Sequence, residues 1–352
     1  MSGWVRWLVI VAVVGLMGVG LYRWGLGRGE SAGALVRLDS GQLVLMGTVG
    51  RIQLDCVDEA TGRAALAAAL AALREVDERL STYREDSELA AVNRQAGEGA
   101  VAVSEETYRL LERAWLWSER TGGAFDVTVG PLLDLWREAA EVDVLPTKEV
   151  LAAARAKVGW GQLVLEPEGR TAAFGVAGMV LNVDGIAKGY AVDRAAEAAG
   201  QAGAAGGLVD IGGEVAVFGR AAGGQGWLIG VQDPFAADVD DQLSERVRWR
   251  IRLKAGAVAT SGNYRRYRQI GGQRHSHIVD ARTGQTADAL ASVTVVAATT
   301  ETADVLATAV SVLGLEAGMA LIEEIEGAEA FAVSGGPGEM AVHRSSGWEG
   351  EL

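Results

Sequence analysis

Gly207-Leu-Val-Asp-Ile211 and Glu214-Val-Ala-Val-Phe218 are two short apolar runs joined by a pair of glycines, and they begin the stretch that decides the fold. Two more runs of the same kind follow, Trp227-Leu-Ile-Gly-Val231 and Val247-Arg-Trp-Arg-Ile-Arg-Leu253. The last one alternates between polar and apolar residues, which is typical of a half-buried strand. The sequence from Gly206 to Ala259 therefore predicts several strands in succession.

Helices and further strands flank this stretch on both sides. The spacing of apolar residues predicts helices over Ala60–Leu80, from the N-cap Ser104 to Thr121, over Thr147–Val158, over Ile186–Gly200, and over Thr300–Leu313 with an end at Gly314. Further strand patterns are a pair or one bent strand over Gln42–Cys56, Met179–Val183, a hairpin over Arg265–Asp280 and Ser292–Ala298. Helices and strands do not alternate strictly, so the predicted fold class is α+β.

Composition, charge and cysteine usage exclude several classes of protein. The net charge is −14 without any block of Lys or Arg, so we expect no nucleic acid partner. The single cysteine, Cys56, excludes an intrachain disulfide framework and a metal cluster held by several thiolates. Its apolar neighbours predict a buried strand residue. Neither Gly-x-Gly-x-x-Gly after a strand nor a P-loop occurs, which argues against Rossmann-type and Walker-type nucleotide binding.

The amino terminus carries a long apolar segment. Trp4 to Trp24 is almost wholly apolar, is flanked by arginines and tryptophans, and is about as long as the roughly 20 residues that cross a bilayer. A Gly-rich stretch from Gly25 to Gly33 follows, as in a linker. We expect residues 1–33 to form a membrane anchor (a transmembrane or signal-anchor helix) plus linker, and residues 34–352 to form an extracytoplasmic domain. A cleaved signal segment ending near Ala32-Gly-Ala34 and a buried helix are the alternatives.

Asp304 and Thr308 lie four residues apart in the predicted helix Thr300–Leu313, so their side chains share one face. The segment Asn182-Val-Asp-Gly-Ile-Ala-Lys-Gly-Tyr190 contains a glycine whose backbone could meet them. A carboxylate, a hydroxyl and a main-chain carbonyl suit a hard cation such as Mg²⁺ better than zinc. An Asp and a Thr one turn apart are, on their own, more often ordinary surface residues.

The chain as a whole resembles the ApbE family of FAD:protein FMN transferases. The matching segments occur in family order from about residue 42 to 314. They are Leu45-Met-Gly-Thr48, Ser81-Thr-Tyr83, Asp86-Ser-Glu-Leu89 with Asn93, Gly122-Gly-Ala-Phe-Asp-Val-Thr128, Asn182 to Asp193, Asp210-Ile-Gly-Gly-Glu214, Ala259-Thr-Ser-Gly-Asn-Tyr264, His277-Ile-Val-Asp-Ala-Arg-Thr-Gly284, Ser292-Val-Thr294, and the Asp304 and Thr308 helix.

This resemblance implies an ApbE-like fold of layered mixed or antiparallel sheets with helices. It implies a Mg²⁺-dependent transferase that cleaves FAD, attaches FMN to a threonine of an acceptor subunit of a membrane or periplasmic redox complex, and releases AMP. The alternatives are a Mg²⁺-dependent FAD diphosphatase and a non-catalytic flavin-binding or trafficking protein. With the amino-terminal segment, the resemblance implies a location at the bacterial inner membrane, with the catalytic domain facing the periplasm.

The resemblance also assigns roles to individual residues. The Asp304 carboxylate, the Thr308 hydroxyl and the Gly185 carbonyl are the implied metal ligands. Ala307 stands where the family often has a second acidic residue, which removes one negative charge from the site. Asn182 and Lys188 are implied to bind the flavin nucleotide, and Lys188 and the start of its helix suit a diphosphate. Asp184 is expected near the ion, with simple turn capping as the alternative.

His277 is the expected catalytic base, because an imidazole of near-neutral pKa can accept the proton of the acceptor threonine. His275 lies two residues away, so a two-histidine metal site is an alternative of little weight. Ala281 replaces the usual proline of this segment. Family positions that line the FAD pocket correspond to Met46, Tyr83, Ala124, Phe125, Asp126 and Val258. For Met46 and Val258, core packing is the default interpretation of the residues alone.

Overall fold

A nine-stranded sheet lies at the centre of the computed structural model, which describes residues 35–82, 84–236, 247–263 and 267–350. Its strands are β1 Val36–Asp39, β2 Leu43–Leu45, β3 Thr48–Cys56, β7 Gly206–Ile211, β8 Glu214–Gly219, β11 Gly256–Gly262, β14 Ser292–Ala297, β15 Glu329–Ser334 and β16 Ala341–Arg344. Every pair of neighbouring strands is antiparallel, in the order β1-β3-β7-β8-β11-β14-β15-β16 with β2 beside β3.

The helices of the described part are α1 Glu59–Leu80, α2 Glu88–Arg94, α3 Glu105–Arg120, α4 Gly130–Val142, α5 Lys148–Arg155, α6 Asp184–Gln201, α7 Thr300–Leu313 and α8 Leu315–Glu323. Of these, α1, α6, α7 and α8 pack against strands of the sheet and cover one of its faces. The central helix α6 lies between α1 and α7 and is built largely from alanine and glycine, which lets three helices approach closely. At Gly189 an added β-carbon would lie 2.4 Å from the carbonyl oxygen of Thr300, so only glycine fits this crossing of α6 and α7.

A two-stranded ribbon covers the opposite face of the sheet. It pairs β9 Trp227–Gln232 with β10 Val247–Leu253 in antiparallel register. Alternation along each strand sorts side chains between the two faces. Thus Ala216 of β8 packs in the helix-side core, while Val215 and Val217 pack beneath the ribbon.

Smaller elements complete the described part of the chain. A three-stranded sheet pairs β4 Val101–Ala102, β6 Thr171–Phe174 and β5 Leu163–Glu166, and a hairpin pairs β12 Tyr267–Ile270 with β13 Gln273–Ser276. A third core, which includes Leu132, Trp136 and Ile270, joins α4 to this hairpin.

The α+β class with antiparallel sheets is confirmed, and so are the predicted helices to within a few residues. Ser104 caps α3 by accepting a hydrogen bond from the Thr107 N–H, and Gly314 ends α7. Cys56 is fully buried at the end of β3, as its neighbours indicated.

The predicted strand over Met179–Val183 is wrong. The structure has only a single bridge there, between Val180 and Val129. The side-chain amide of Asn93 hydrogen-bonds both the N–H and the C=O of Leu181, at 2.7 and 2.9 Å. A side chain therefore provides what a neighbouring strand would have provided, and no ladder forms.

No helix within the described residues is long and apolar enough to cross a membrane. The predicted anchor, residues 1–33, lies outside those residues. Tyr83 also lies outside them, so its predicted place in the pocket stays a prediction.

Candidate active site

The predicted metal ligands lie together where α6 crosses α7. Asp304 and Thr308 are one turn apart on α7, and an added β-carbon on Gly185 would lie 3.1 Å from the Thr308 hydroxyl oxygen. The N–H of Gly189 donates a hydrogen bond of 3.0 Å to Asp304 Oδ2. The first two turns of α6 are therefore held against the polar face of α7.

The Asp304 carboxyl is buried and carries a strongly perturbed pKa. Its residue is 3 % exposed, and burial raises its pKa to about 7. The positive charge of Lys188 acts in the opposite direction, whereas the negative charges of Glu214 and Asp184 add to the increase. A buried carboxylate beside two other acids is a place that a divalent cation would stabilise.

The donor set fits a hard cation. It combines one carboxylate, one hydroxyl and a glycine-bearing turn, and the Ser261 hydroxyl lies 3.4 Å from the Thr308 hydroxyl. Among the described residues, no group of three or more His, Cys, Asp and Glu could hold a metal ion. A site at Asp304 would therefore depend on oxygen donors other than acids, as Mg²⁺ with its retained waters accepts.

Lys188 projects from the second turn of α6 and forms an ion pair with Glu214, at the start of β8. Glu214 is 2 % exposed, and its Oε2 has no hydrogen-bond partner. Leaving a buried acceptor without a hydrogen bond costs folding free energy. The Glu214 carboxylate holds the ammonium group of Lys188 at the cleft wall, and its negative charge acts on Asp304.

Asn182 lies just before α6, and its side chain hydrogen-bonds Asp184 within the same turn. Its side-chain oxygen accepts a hydrogen bond of 3.0 Å from the Asp184 N–H, and its side-chain nitrogen donates one of 3.2 Å to Asp184 Oδ2. Asp184 is exposed. It is the first residue of α6, where no side-chain cap hydrogen bond forms, so the turn-capping alternative is not supported. Its negative charge acts on Asp304.

The segment Ala124–Asp126 forms another wall. The ring of Phe125 lies against Gly185, with Cε2 3.3 Å from an added β-carbon there. Asp126 is buried, and burial raises its pKa in spite of three hydrogen bonds that favour the charged form. It accepts two from Thr128 and one from the Trp160 N–H. Both carboxylate oxygens are thus used to fix the loop that presents Ala124 and Phe125.

A cleft of about 1940 Å³ joins these features. Ten of the predicted site residues line it, namely Ala124, Phe125, Asp126, Asn182, Gly185, Lys188, Val258, His277, Asp304 and Thr308. Met46 packs against the helix-side core at a φ of 48°, in the turn whose next residue, Gly47, lines the cleft.

The two neighbouring histidines have different surroundings. His277 follows β13, is half-buried and lines the cleft. The His275 ring lies 5.2 Å from the Trp136 ring, and its Nε2 is buried without a hydrogen-bond partner. His275 thus packs against the third core, which gives no support to a two-histidine metal site.

Two residues of this site were not assigned a role from the sequence. Ser261 lies beside Thr308, and Glu214 holds Lys188. Both lie in segments that match the family pattern, Ser261 in Ala259–Tyr264 and Glu214 in Asp210–Glu214. This match is the sequence feature that could have identified them as site residues.

Comparison with known proteins gives one consistent result. The ApbE family matches residues 46–332. The FAD:protein FMN transferase of Vibrio cholerae is 39% identical over 254 residues, covering 71% of this chain and 74% of the relative. The FAD:protein FMN transferase of Treponema pallidum is 33% identical over 94% of this chain and 92% of its own length.

Solved structures agree with these sequence matches. The ApbE protein of Thermotoga maritima has a TM-score of 0.76 and 32% identity, with 89% of this chain and 97% of that chain covered. The flavin transferase ApbE of Vibrio cholerae has a TM-score of 0.73 and 33% identity over the same shares.

Proposed function

The chain belongs to the ApbE family, and from this premise we propose that it moves FMN from FAD to a threonine hydroxyl of an acceptor protein, with Mg²⁺ as the catalytic ion. The activity as an FAD:protein FMN transferase follows from the curated relatives and the flavin transferase structures. The ion, the acceptor residue and the roles of individual side chains are the proposal.

The observation that carries the proposal is the convergence of Asp304, Thr308 and Gly185 in one wall of the cleft. These oxygen donors would hold Mg²⁺, which supplies charge neutralisation for a diphosphate when bound. Lys188 lies one turn further along α6 and lines the same cleft, so we assign its ammonium group to a phosphate oxygen of FAD.

The reaction exchanges one phosphorus–oxygen bond for another. The threonine oxygen attacks the phosphorus on the riboflavin side of FAD, the bond to the bridging oxygen breaks, and AMP leaves with that oxygen. The threonine proton must go to a base. His277 lies in the cleft wall and is the residue that we assign to this step.

The remaining cleft residues would bind FAD. Phe125 and Ala124 provide an apolar wall that is fixed by the buried Asp126. Asn182 and Val258 line the same space, and Tyr83 and Met46 are proposed to complete the pocket. An apolar wall with a few fixed polar groups is the usual composition of a small-molecule site.

Location is a separate part of the proposal. We propose that residues 1–33 anchor the protein in the bacterial inner membrane with the domain of residues 34–352 in the periplasm. The apolar length of Trp4–Trp24 supports this. The acceptor would then be a threonine-bearing subunit of a membrane or periplasmic redox complex.

The decisive experiment incubates the protein with FAD, Mg²⁺ and membranes of its own organism. A transferase produces AMP together with an acceptor whose intact mass increases by that of FMN less one water. A diphosphatase produces AMP and free FMN with no change in any protein, and a binding protein produces neither.

A further inference from the structure

Within the described residues, strand β9 is paired along one edge only, by β10. In an antiparallel pair, alternate residues direct both their N–H and their C=O away from the partner strand. The outer edge of β9 from Trp227 to Val231 therefore presents backbone donors and acceptors, which form a template for another strand.

This edge lies in the wall of the cleft that contains Asp304. Four consecutive residues of the edge, Leu228 to Val231, line the cleft. Successive side chains of a strand point to opposite faces, so a cleft that touches every residue in turn meets the edge of the strand rather than one face. Leu228 is also 48% exposed, which is unusual for a leucine beside a substrate site.

The cleft is larger than the usual small-molecule pocket. Small-molecule pockets usually measure about 300–1,000 Å³, whereas this cleft measures about 1940 Å³. Group transfer to a protein requires the acceptor segment and FAD to occupy the site together. A cleft of this size has room for a second substrate beside FAD, and the edge of β9 forms part of its wall.

A stripe of arginines lies beside this edge. Arg248, Arg250 and Arg252 are exposed on one face of β10, in a chain with a net charge of −14. Arg248 pairs with Asp233, whereas Arg250 and Arg252 have no carboxylate partner in the residues that the structure describes. A strand added to β9 would lie about 10 Å from β10, since neighbouring strands are about 4.8 Å apart. That distance is slightly more than the Debye length of about 8 Å at physiological salt, so the attraction to the arginines should weaken as the salt concentration rises.

We propose that the threonine-bearing segment of the acceptor binds in extended form along the outer edge of β9, as a third strand of the β9–β10 ribbon, with acidic side chains facing the arginine stripe. This inference rests on the proposed transferase function. Backbone pairing would give affinity, and the alternating side chains would give specificity, as in other cases of strand addition.

The first test uses a nine-residue peptide centred on the modified threonine of the acceptor, identified by its gain of FMN. Each backbone N–H of the peptide is methylated in turn, and binding to the enzyme is measured by fluorescence anisotropy without FAD. We expect methylation to weaken binding at least tenfold at every second position and to be tolerated between them. Uniform losses, or no loss, would overturn the proposal.

The second test changes the stripe. Arg250→Ala with Arg252→Ala should raise the KM for the peptide about tenfold and leave FAD binding and kcat unchanged. Arg63→Ala with Arg109→Ala removes the same charge from exposed sites on α1 and α3 and is the control. An equal rise in the peptide KM for the two pairs of substitutions would show that the arginine stripe does not bind the acceptor. If no protein gains FMN from the wild-type enzyme, the transferase function fails instead, and FAD turnover to AMP reports that separately.

Discussion

The backbone N–H of Gly189 donates a hydrogen bond of 3.0 Å to the carboxylate of Asp304. The contact joins α6 to α7 and fixes one oxygen of the proposed metal ligand. It depends on the absence of a side chain at 189, because a β-carbon there would lie 2.4 Å from the Thr300 oxygen and 2.8 Å from the Glu301 α-carbon. Gly189 therefore serves both the close packing of α6 on α7 and the position of the Asp304 carboxylate.

Gly189→Ala should destabilise the protein by about 1–3 kcal/mol, the usual cost of overpacking a core. It should also weaken Mg²⁺ binding, because the helices must separate and Asp304 moves with α7. Gly200→Ala, on the same helix, is the control. Its β-carbon would lie 3.7 Å from the Phe218 ring, an ordinary contact, so we expect a gain of about 0.4–1 kcal/mol. Chemical denaturation of both variants measures the difference, and equal stabilities would contradict the packing argument.

Asp304→Ala should abolish turnover while FAD binding survives in part, because the carboxylate is assigned to the ion more than to the flavin. AMP release and FAD binding by fluorescence quenching measure the two effects. The wild-type enzyme in excess EDTA should resemble the variant. Full turnover in EDTA would show that no metal is needed.

The pH dependence of the metal-free protein should report Asp304. Its folded pKa of about 7 lies above the ordinary value of 3.8, because burial disfavours the charged form. The folded state thus binds the proton more tightly than the unfolded state does. The stability from the neutral carboxyl is fully present below pH 4 and is lost as the pH rises through 7.

Thermal unfolding in EDTA between pH 5 and pH 8 should therefore show a decline that Asp304→Asn reduces. Mg²⁺ binds the carboxylate, so its affinity should increase with pH and become constant above about 7. An Mg²⁺ affinity independent of pH across this range would contradict the assignment.

Local patterns predicted the helices and the close pairing of Asp304 with Thr308, because helix geometry alone places residues four apart on one face. They did not predict the ion pair between Lys188 and Glu214, since it depends on how α6 lies on β8, which no local pattern contains. The wrong strand at Met179–Val183 has a similar origin. Its apolar residues resemble a strand, but Asn93, distant in sequence, takes the hydrogen bonds of Leu181.

The amino-terminal segment should be required for location and not for chemistry. A chain that begins at Ala34 should be soluble and should transfer FMN at the wild-type rate to a detergent-solubilised acceptor. The full-length protein should sediment with membranes and remain there after a high-salt wash, which removes proteins held by charge alone. Recovery of the full-length protein in the cytosolic fraction would exclude the anchor.

His277→Ala should slow transfer by roughly 10²–10⁴, the usual contribution of a positioned general base. FAD affinity should change little, because the imidazole is assigned to the acceptor hydroxyl. The loss should become smaller as the pH is raised, since hydroxide then replaces part of the missing base. His275→Ala is the matched control: its ring packs against Trp136, so it should lower stability and leave the rate nearly unchanged. A larger loss of rate from His275→Ala, or a loss of FAD binding from His277→Ala, would show that His277 is not the base, while the roles of Asp304 and Thr308 would stand on their own contacts.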